Sequence, residues 1–250
     1  SNSPLFAELA KDLKAYPQVD CGVHLNLSRG VPLTASMAAS LQRWNGAFPG
    51  KVAAVVAVAS GQLSLETVEE EWRAQIERAL EAGLKIRFLN AHEHVHLWPS
   101  LRRLVVGLAR EYGIPWVRKL LPDLTGPVSV GALCRNLAVG LLQRIPPGLP
   151  VGRRLDCLGV GASGRLDATA LRRVFERLPA NGVFELMCHP GRLDRSEVND
   201  PRLLAYHDWE RERQFLCRAD FVELCASFSI ELTRFSDMSF GALAPVQVSR

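Results

Sequence analysis

Hydrophobic and polar positions along this chain switch repeatedly between two periods, one matching helices and the other matching strands. In "PLFAELAKDLKAYP", Leu5, Phe6, Leu9 and Leu13 fall on one helical face, and Pro17 stops the helix. "VDCGVHLNLS" then reads as a buried strand that ends in polar residues. "GKVAAVVAVASGQ" fits either class, because its valines favour a strand and its alanines a helix. "TVEEEWRAQIERALEAG" predicts a helix with a Thr67/Glu70 capping box. Its apolar stripe is Trp72, Ile76, Ala79 and Leu80, and Gly83 ends it.

The alternation continues to the end of the chain. "LKIRFLNAH" predicts a strand. "PSLRRLVVGLAREYG" predicts a helix that starts at Pro99, ends at Gly113 and turns Leu101, Leu104, Val105, Leu108 and Tyr112 inward. "IPWVRKL" is a short strand, "GALCRNLAVGLLQRI" a helix, "PPGLPVGRR" a loop and "LDCLGVG" a strand. A helix begins at Asp167 and runs towards Pro179, followed by the strand "GVFELMCHPG". "DWERERQFLCRADFVELCASFS" is helical, with a break near Ala219 and Asp220. "IELTRFSDM" closes the pattern, and "ALAPVQVSR" reads as a loose tail. Strands and helices that alternate without repeats or a linker predict a parallel sheet covered by helices, either a barrel or a doubly wound sheet. We expect one α/β domain over residues 1–240 and a tail over 241–250. In both architectures chemistry gathers at the C-terminal ends of the strands.

Composition narrows the function classes. The 250 residues are 48% hydrophobic and 22% charged, with a formal net charge of +4. Asp and Glu are interspersed with the Arg, and no basic stripe carries interleaved aromatics, which argues against a nucleic-acid partner. No apolar run approaches the roughly 18 residues of a membrane span. The six cysteines form no CxxC pair and read as reduced thiols, so a cytoplasmic location is expected.

The histidines stand out against this background. Three of the six, His92, His94 and His96, occupy alternate positions in "NAHEHVHLWP". An extended backbone would turn all three to one face. His24 ends "VDCGVH" and His189 ends "VFELMCH", so three strands each deliver histidine to one predicted rim. His207 lies elsewhere, in the run-up to a helix. Imidazoles gathered in this way suit a divalent metal or acid–base work near neutral pH.

The other candidates are weaker. Trp98 could stack on a sugar ring or simply pack. Arg118 could hold a polar substrate or pair with a carboxylate. Cys188 should point away from His189 into packing. "GVGASG" lacks phosphate-loop spacing and reads as a turn, and Glu69, Glu70 and Glu71 read as a solvated first turn.

Together, "VDCGVHLNLSRGVPL", "NAHEHVHLWPSL", "GIPWVR", "SGRLD", "FELMCHPG" and "ELTRFSDM" resemble the YdjC-like carbohydrate deacetylases, a family that includes chitooligosaccharide and hopanoid-associated deacetylases. The resemblance runs from about Pro4 to Met238. It implies a (β/α) barrel-like deacetylase fold and hydrolysis of an N-acetyl group on an amino sugar or glycoconjugate. It also implies one divalent metal, Mg2+ or Zn2+, held by His24 and His92. His189 matches the family's acid or base, and His94 and His96 would orient ligands or bind substrate.

The family's N-terminal "ADDFG" motif, source of its third ligand and base, is absent. A strand–helix–strand unit of about 30 residues would therefore precede Ser1. The family often has Asp where Asn90 stands; Asn90 can hydrogen-bond a ligand but cannot act as a base. Two expectations follow. The chain is either a metal-dependent carbohydrate deacetylase or a degenerate barrel that keeps a sugar- or metal-binding cleft without turnover. If it is active, Asp194 or Asp208 would have to serve as base. A missing first strand would also leave open sheet edges, so either a homodimer that pairs them or ready aggregation is expected.

Overall fold

In the computed structural model, the described residues are 2–120, 153–195 and 201–238, with 137, 140, 141 and 198. The predicted helix over 131–145 lies almost wholly outside them, as do most of the 146–154 loop and the 241–250 tail.

Among the described residues, five strands form one sheet in the order β1-β2-β3-β4-β5, and every neighbouring pair is parallel. They are β1 (Cys21–Leu25), β2 (Ile86–Ala91), β3 (Trp116–Leu120), β4 (Arg153–Leu158) and β5 (Phe184–Leu186). Strand order follows chain order. Among the described strands there is none of the reversal that defines a doubly wound sheet.

Most helices fall close to their predicted places; Ala35–Ser40 and Pro201–Tyr206 are helices that the periodicity did not predict. α1 (Phe6–Lys14), α2 (Ala35–Ser40), α3 (Lys51–Ala59) and α4 (Leu65–Glu81) precede β2, and α5 (Pro99–Glu111) links β2 to β3. The ambiguous "KVAAVVAVA" is α3, with Ala54, Ala57 and Val58 buried. Further helices span Ala168–Phe175, Pro201–Tyr206, Trp209–Leu216 and Ala219–Ser227. The predicted break in "DWERERQFLCRADFVELCASFS" falls at Cys217 and Arg218, and Asp167 caps its helix by accepting from Ala170 N–H. "GVGASG" is a turn, and "IELTRFSDM" is not a strand.

The register sorts side chains into two faces. Val23, Leu25, Leu89, Ala91 and Val117 join Met37, Val68, Trp72, Ile76, Leu101 and Val105 in the first core cluster. A second cluster gathers Leu166, Leu171, Phe175, Phe215, Phe221 and Leu224. His24 pairs with Asn90, Arg118 with Leu155 and Cys157 with Glu185 in the ladder. By alternation, His24, Asn90, Arg118 and Glu185 therefore share the face opposite the first cluster.

Two residues before Asn90 and Arg118, Phe88 and Trp116 form a lower layer on that face. Phe235 stacks on Phe88, centroids 4.5 Å apart, and meets Trp116 edge-on at 6.2 Å. A Cβ on Gly22 would lie 2.3 Å from the Phe88 ring, so only glycine lets that ring cross β1. Arg234 Nη1 donates to the Gln18 carbonyl (3.2 Å) and Ser236 N–H to Asp20 Oδ2 (2.7 Å), tying the segment down at the start of the strands.

α4 corrects three sequence expectations. Its N-cap is Ser64, which accepts from Thr67 N–H at 3.1 Å, so the helix begins before the Thr67/Glu70 box. Leu80 is 39% exposed. Glu71, read as solvated, has no exposed surface. Its carboxylate accepts from Leu33 N–H, Thr34 N–H, Thr34 Oγ1, Gln75 Nε2 and Asn2 Nδ2 at 2.8–3.1 Å. The donors belong to the N-terminal segment, to the loop leaving β1 and to α4 itself, so Glu71 binds the first two to the helix.

Replacing Glu71 with Ala should leave several buried donors unpaired, each worth roughly 1–3 kcal/mol. We expect a loss of roughly 3 kcal/mol or more in urea unfolding. Glu70→Ala, at a residue whose contact is the exposed Ser36 hydroxyl, should cost less than about 1 kcal/mol. Equal, small losses for both variants would contradict the buried role of Glu71.

Candidate functional site

His24 stands one residue before the end of β1. Its Nδ1 lies 2.5 Å from Asn90 Oδ1 on β2. A carboxamide oxygen only accepts, so Nδ1 carries the proton and the Nε2 lone pair is free. Crowding by protein atoms pushes His24 down to about 4, against the Asn90 bond, although the residue is exposed to solvent.

β2 ends at Ala91, and the next six residues are not extended. His92–Leu97 form a 3-10 turn in which Glu93 (φ 50°) and His94 (φ 61°) are left-handed. Strand alternation therefore fails for the histidine run, and the three rings take separate positions. His92 meets His24 edge-on, centroids 5.3 Å apart, and its Nε2 is buried without a hydrogen-bond partner. His94 lies 6.3 Å from His96. His96 is 1% exposed and its Nε2 donates to the Arg118 carbonyl at 3.3 Å.

Burial is the main cause that lowers every one of these rings. His96 falls to about 3, with the Arg118 charge adding to the effect. His94 falls well below its ordinary value, pushed further by His96, Arg118, His24 and His189. His92 and His189 shift the same way, His189 under the added influence of Arg118 and His92. His24 and His92 meet directly, and the charges of His24, His92, His94 and His189 bear on one another.

Arg118 does not reach out towards solvent. Its Nε donates to both Glu185 oxygens, at 3.0 and 2.9 Å, and Nη2 also donates to Oε1. The two side chains are 11% and 10% exposed. Of the two roles open to Arg118, the structure shows the carboxylate pairing. Trp98 is half-buried against the first core cluster.

His189 follows β5. Its Nδ1 faces the Ser163 hydroxyl at 3.4 Å. His207, expected to lie elsewhere, packs against it with centroids 4.9 Å apart and stacks on Trp209 at 5.1 Å. The "SGRLD" turn brings it there, since Gly164 O accepts from Asp208 N–H at 2.7 Å. Cys188 points into the second cluster, where burial and the nearby Glu212 charge push its thiol up to about 11; a nucleophilic role does not fit. Asp208 accepts from Arg211 N–H as a helix cap, and Asp194 is exposed.

The donor set can be tested against a metal. Two neutral imidazoles in edge contact, one with a buried and unpartnered Nε2, fit half of a divalent site. Among the described residues, no group of three or more His, Cys, Asp or Glu side chains is arranged to hold an ion.

The profile of the family described as "YdjC-like protein" matches residues 1–227. A Halalkalibacterium halodurans protein named carbohydrate deacetylase is 29% identical over 198 residues, covering 78% of this chain and 72% of that protein. A Mus musculus protein of the same name is 32% identical over 204 residues, covering 74% of this chain and 65% of that one. The fold also matches an Enterococcus faecalis crystal structure, provisionally described as a cellobiose-phosphate cleavage protein. Its TM-score is 0.67 at 22% identity, covering 94% of this chain and 84% of that one.

The shifted histidines carry a pH signature. Each is neutral when folded and regains an ordinary value near 6.5 on unfolding, so the unfolded chain takes up protons first. Their contribution to stability is complete above about 6.5 and drains as pH falls towards 4. With chelator present, Tm should drop across that window, and His96→Gln should flatten the drop. A wild-type Tm that holds level from pH 6.5 to 4.5 would contradict the assignment.

Proposed function

Because this chain belongs to the YdjC-like family, we propose that it is a carbohydrate deacetylase: a metal-dependent hydrolase that removes N-acetyl groups from an amino sugar or a glycoconjugate. The observation that carries this reading is the edge contact of His24, on β1, with His92, just past β2; His189 follows β5 of the same sheet. The names of the H. halodurans and mouse relatives point to the same reaction. We read the five parallel strands in chain order as part of a (β/α) barrel, with the histidines at its C-terminal rim.

An acetamide is a poor electrophile, and water is a poor nucleophile at pH 7. A divalent ion, Zn2+ or Mg2+, held by His24 and His92 would polarise the carbonyl and acidify a water. Asn90 fixes the His24 tautomer so that Nε2 faces outward with its lone pair. His92 offers an Nε2 that makes no protein hydrogen bond. His189, neutral in the folded protein, would take the proton that the acidified water gives up and pass it to the departing amine. Between them, His94 and His96 keep the site charge-neutral, and the Arg118–Glu185 pair carries one charge of each sign. On this reading His94 would contact the sugar, while Trp98 packs against the first core cluster.

The test is acetate release from N-acetylated chitooligosaccharides, with and without added metal. His189→Ala should leave metal binding nearly intact and lower turnover by roughly 100-fold or more. His92→Ala should abolish both. Metal release by His189→Ala would make it a ligand. Metal binding by the wild-type protein without any acetate release would favour the non-catalytic cleft over the enzyme.

A further inference from the structure

The sheet does not hold His189 in place. The last main-chain bond from this strand to β4 is Met187 N–H to Leu158 O, at 3.0 Å. His189 lies two residues beyond it, and its N–H donates instead to Glu212 Oε2 at 2.5 Å. Glu212 is on the Trp209–Leu216 helix and has no exposed surface. Its other oxygen accepts from Leu166 N–H at 2.9 Å. One carboxylate thus joins three segments, with partners 23 and 46 residues away in sequence.

Other contacts tighten the same junction. Asp208 N–H donates to Gly164 O at 2.7 Å, and Gly191 N–H to Trp209 O at 3.1 Å. A Cβ on Gly164, whose φ is +81°, would lie 2.5 Å from His207 Nδ1. Packing alone gives no reason to bury a carboxylate at such a place, because removing its charge from water is costly. Its two oxygens match the two N–H groups that the end of the sheet and the turn leave over.

We propose that Glu212 is a positioning residue: by holding the His189 amide past the last sheet bond, it fixes where the imidazole stands against His207 and across from His24 and His92. This rests on the reading of His189 as the general acid. A glutamine of the same shape offers one acceptor and one donor, so one of the two N–H groups would lose its partner.

Glu212→Gln should lower kcat for acetate release by about tenfold or more, since small misplacements of a reacting group are this costly, while KM stays within about twofold. In a His189→Ala background the same change should lower kcat no further. Glu212→Asp, which keeps both acceptors, should recover part of the loss. An equal kcat loss in both backgrounds, or no loss in either, overturns the proposal.

Amide exchange followed by NMR gives a reading that does not depend on activity. The His189 amide should be protected in the wild-type protein. In Glu212→Gln it should exchange faster, while β1 and β2 amides keep their protection. A uniform loss of protection across the sheet, or an unprotected wild-type His189 amide, overturns the proposal. If Glu212→Gln does not fold, the wild-type measurement decides. If the wild-type protein releases no acetate, the deacetylase reading falls, and the exchange data still decide whether Glu212 holds His189.

Discussion

Parallel pairing sets His24 level with Asn90, Arg118 level with Leu155, and Cys157 level with Glu185. That register puts a row of polar side chains on one sheet face, partly out of water, where each must find a partner within the row. Asn90 answers His24, Glu185 answers Arg118 across the intervening β4, and the Arg118 carbonyl answers His96. A slip of one residue in β1, β2 or β3 would turn His24, Asn90 or Arg118 into the first apolar cluster and bring an aliphatic side chain out. Packing on one face of the sheet and chemistry on the other are thus fixed by the same constraint.

The site draws on two separately packed halves. His24 and His92 rest on strands and a turn backed by the first cluster, whereas His189 and His207 are backed by the second. β3 and β4 join them, with the Arg118–Glu185 pair crossing the seam. A buried ion pair of this kind is poor evidence of net stability. Losing one partner, however, leaves the other charge stranded, at about 3–5 kcal/mol. The pair therefore makes the relative placement of the halves costly to alter.

Periodicity made the strands, most helices and the shared rim legible, because they follow from local pattern. The placement of His24, His92 and His189 could be reasoned from strand ends alone. The turn at His92–Leu97 could not, since its left-handed residues are Glu93 and His94, and neither carries the usual glycine signal. Glu71 and Glu212 were hidden because a glutamate is by default solvated and their partners lie tens of residues away. A weak signal existed: Val68, Glu71, Trp72, Gln75, Ile76 and Ala79 follow the spacing of a buried helical stripe, so Glu71 sits where an apolar residue was due. His207 was missed because only the turn at Gly164 brings it to His189. The predicted helix over 131–145 lies almost wholly outside what the structure describes.

The aromatic layer of Phe88, Trp116 and Phe235 has a bearing on traffic. It lies directly beneath the polar row, at the end of the sheet where the strands begin, and the Arg234 and Ser236 bonds anchor it there. Among the described residues that floor covers the polar face where the strands begin, and His24, the exposed member of the row, stands towards the other end. A ligand for His24 would therefore arrive from the strands' far ends.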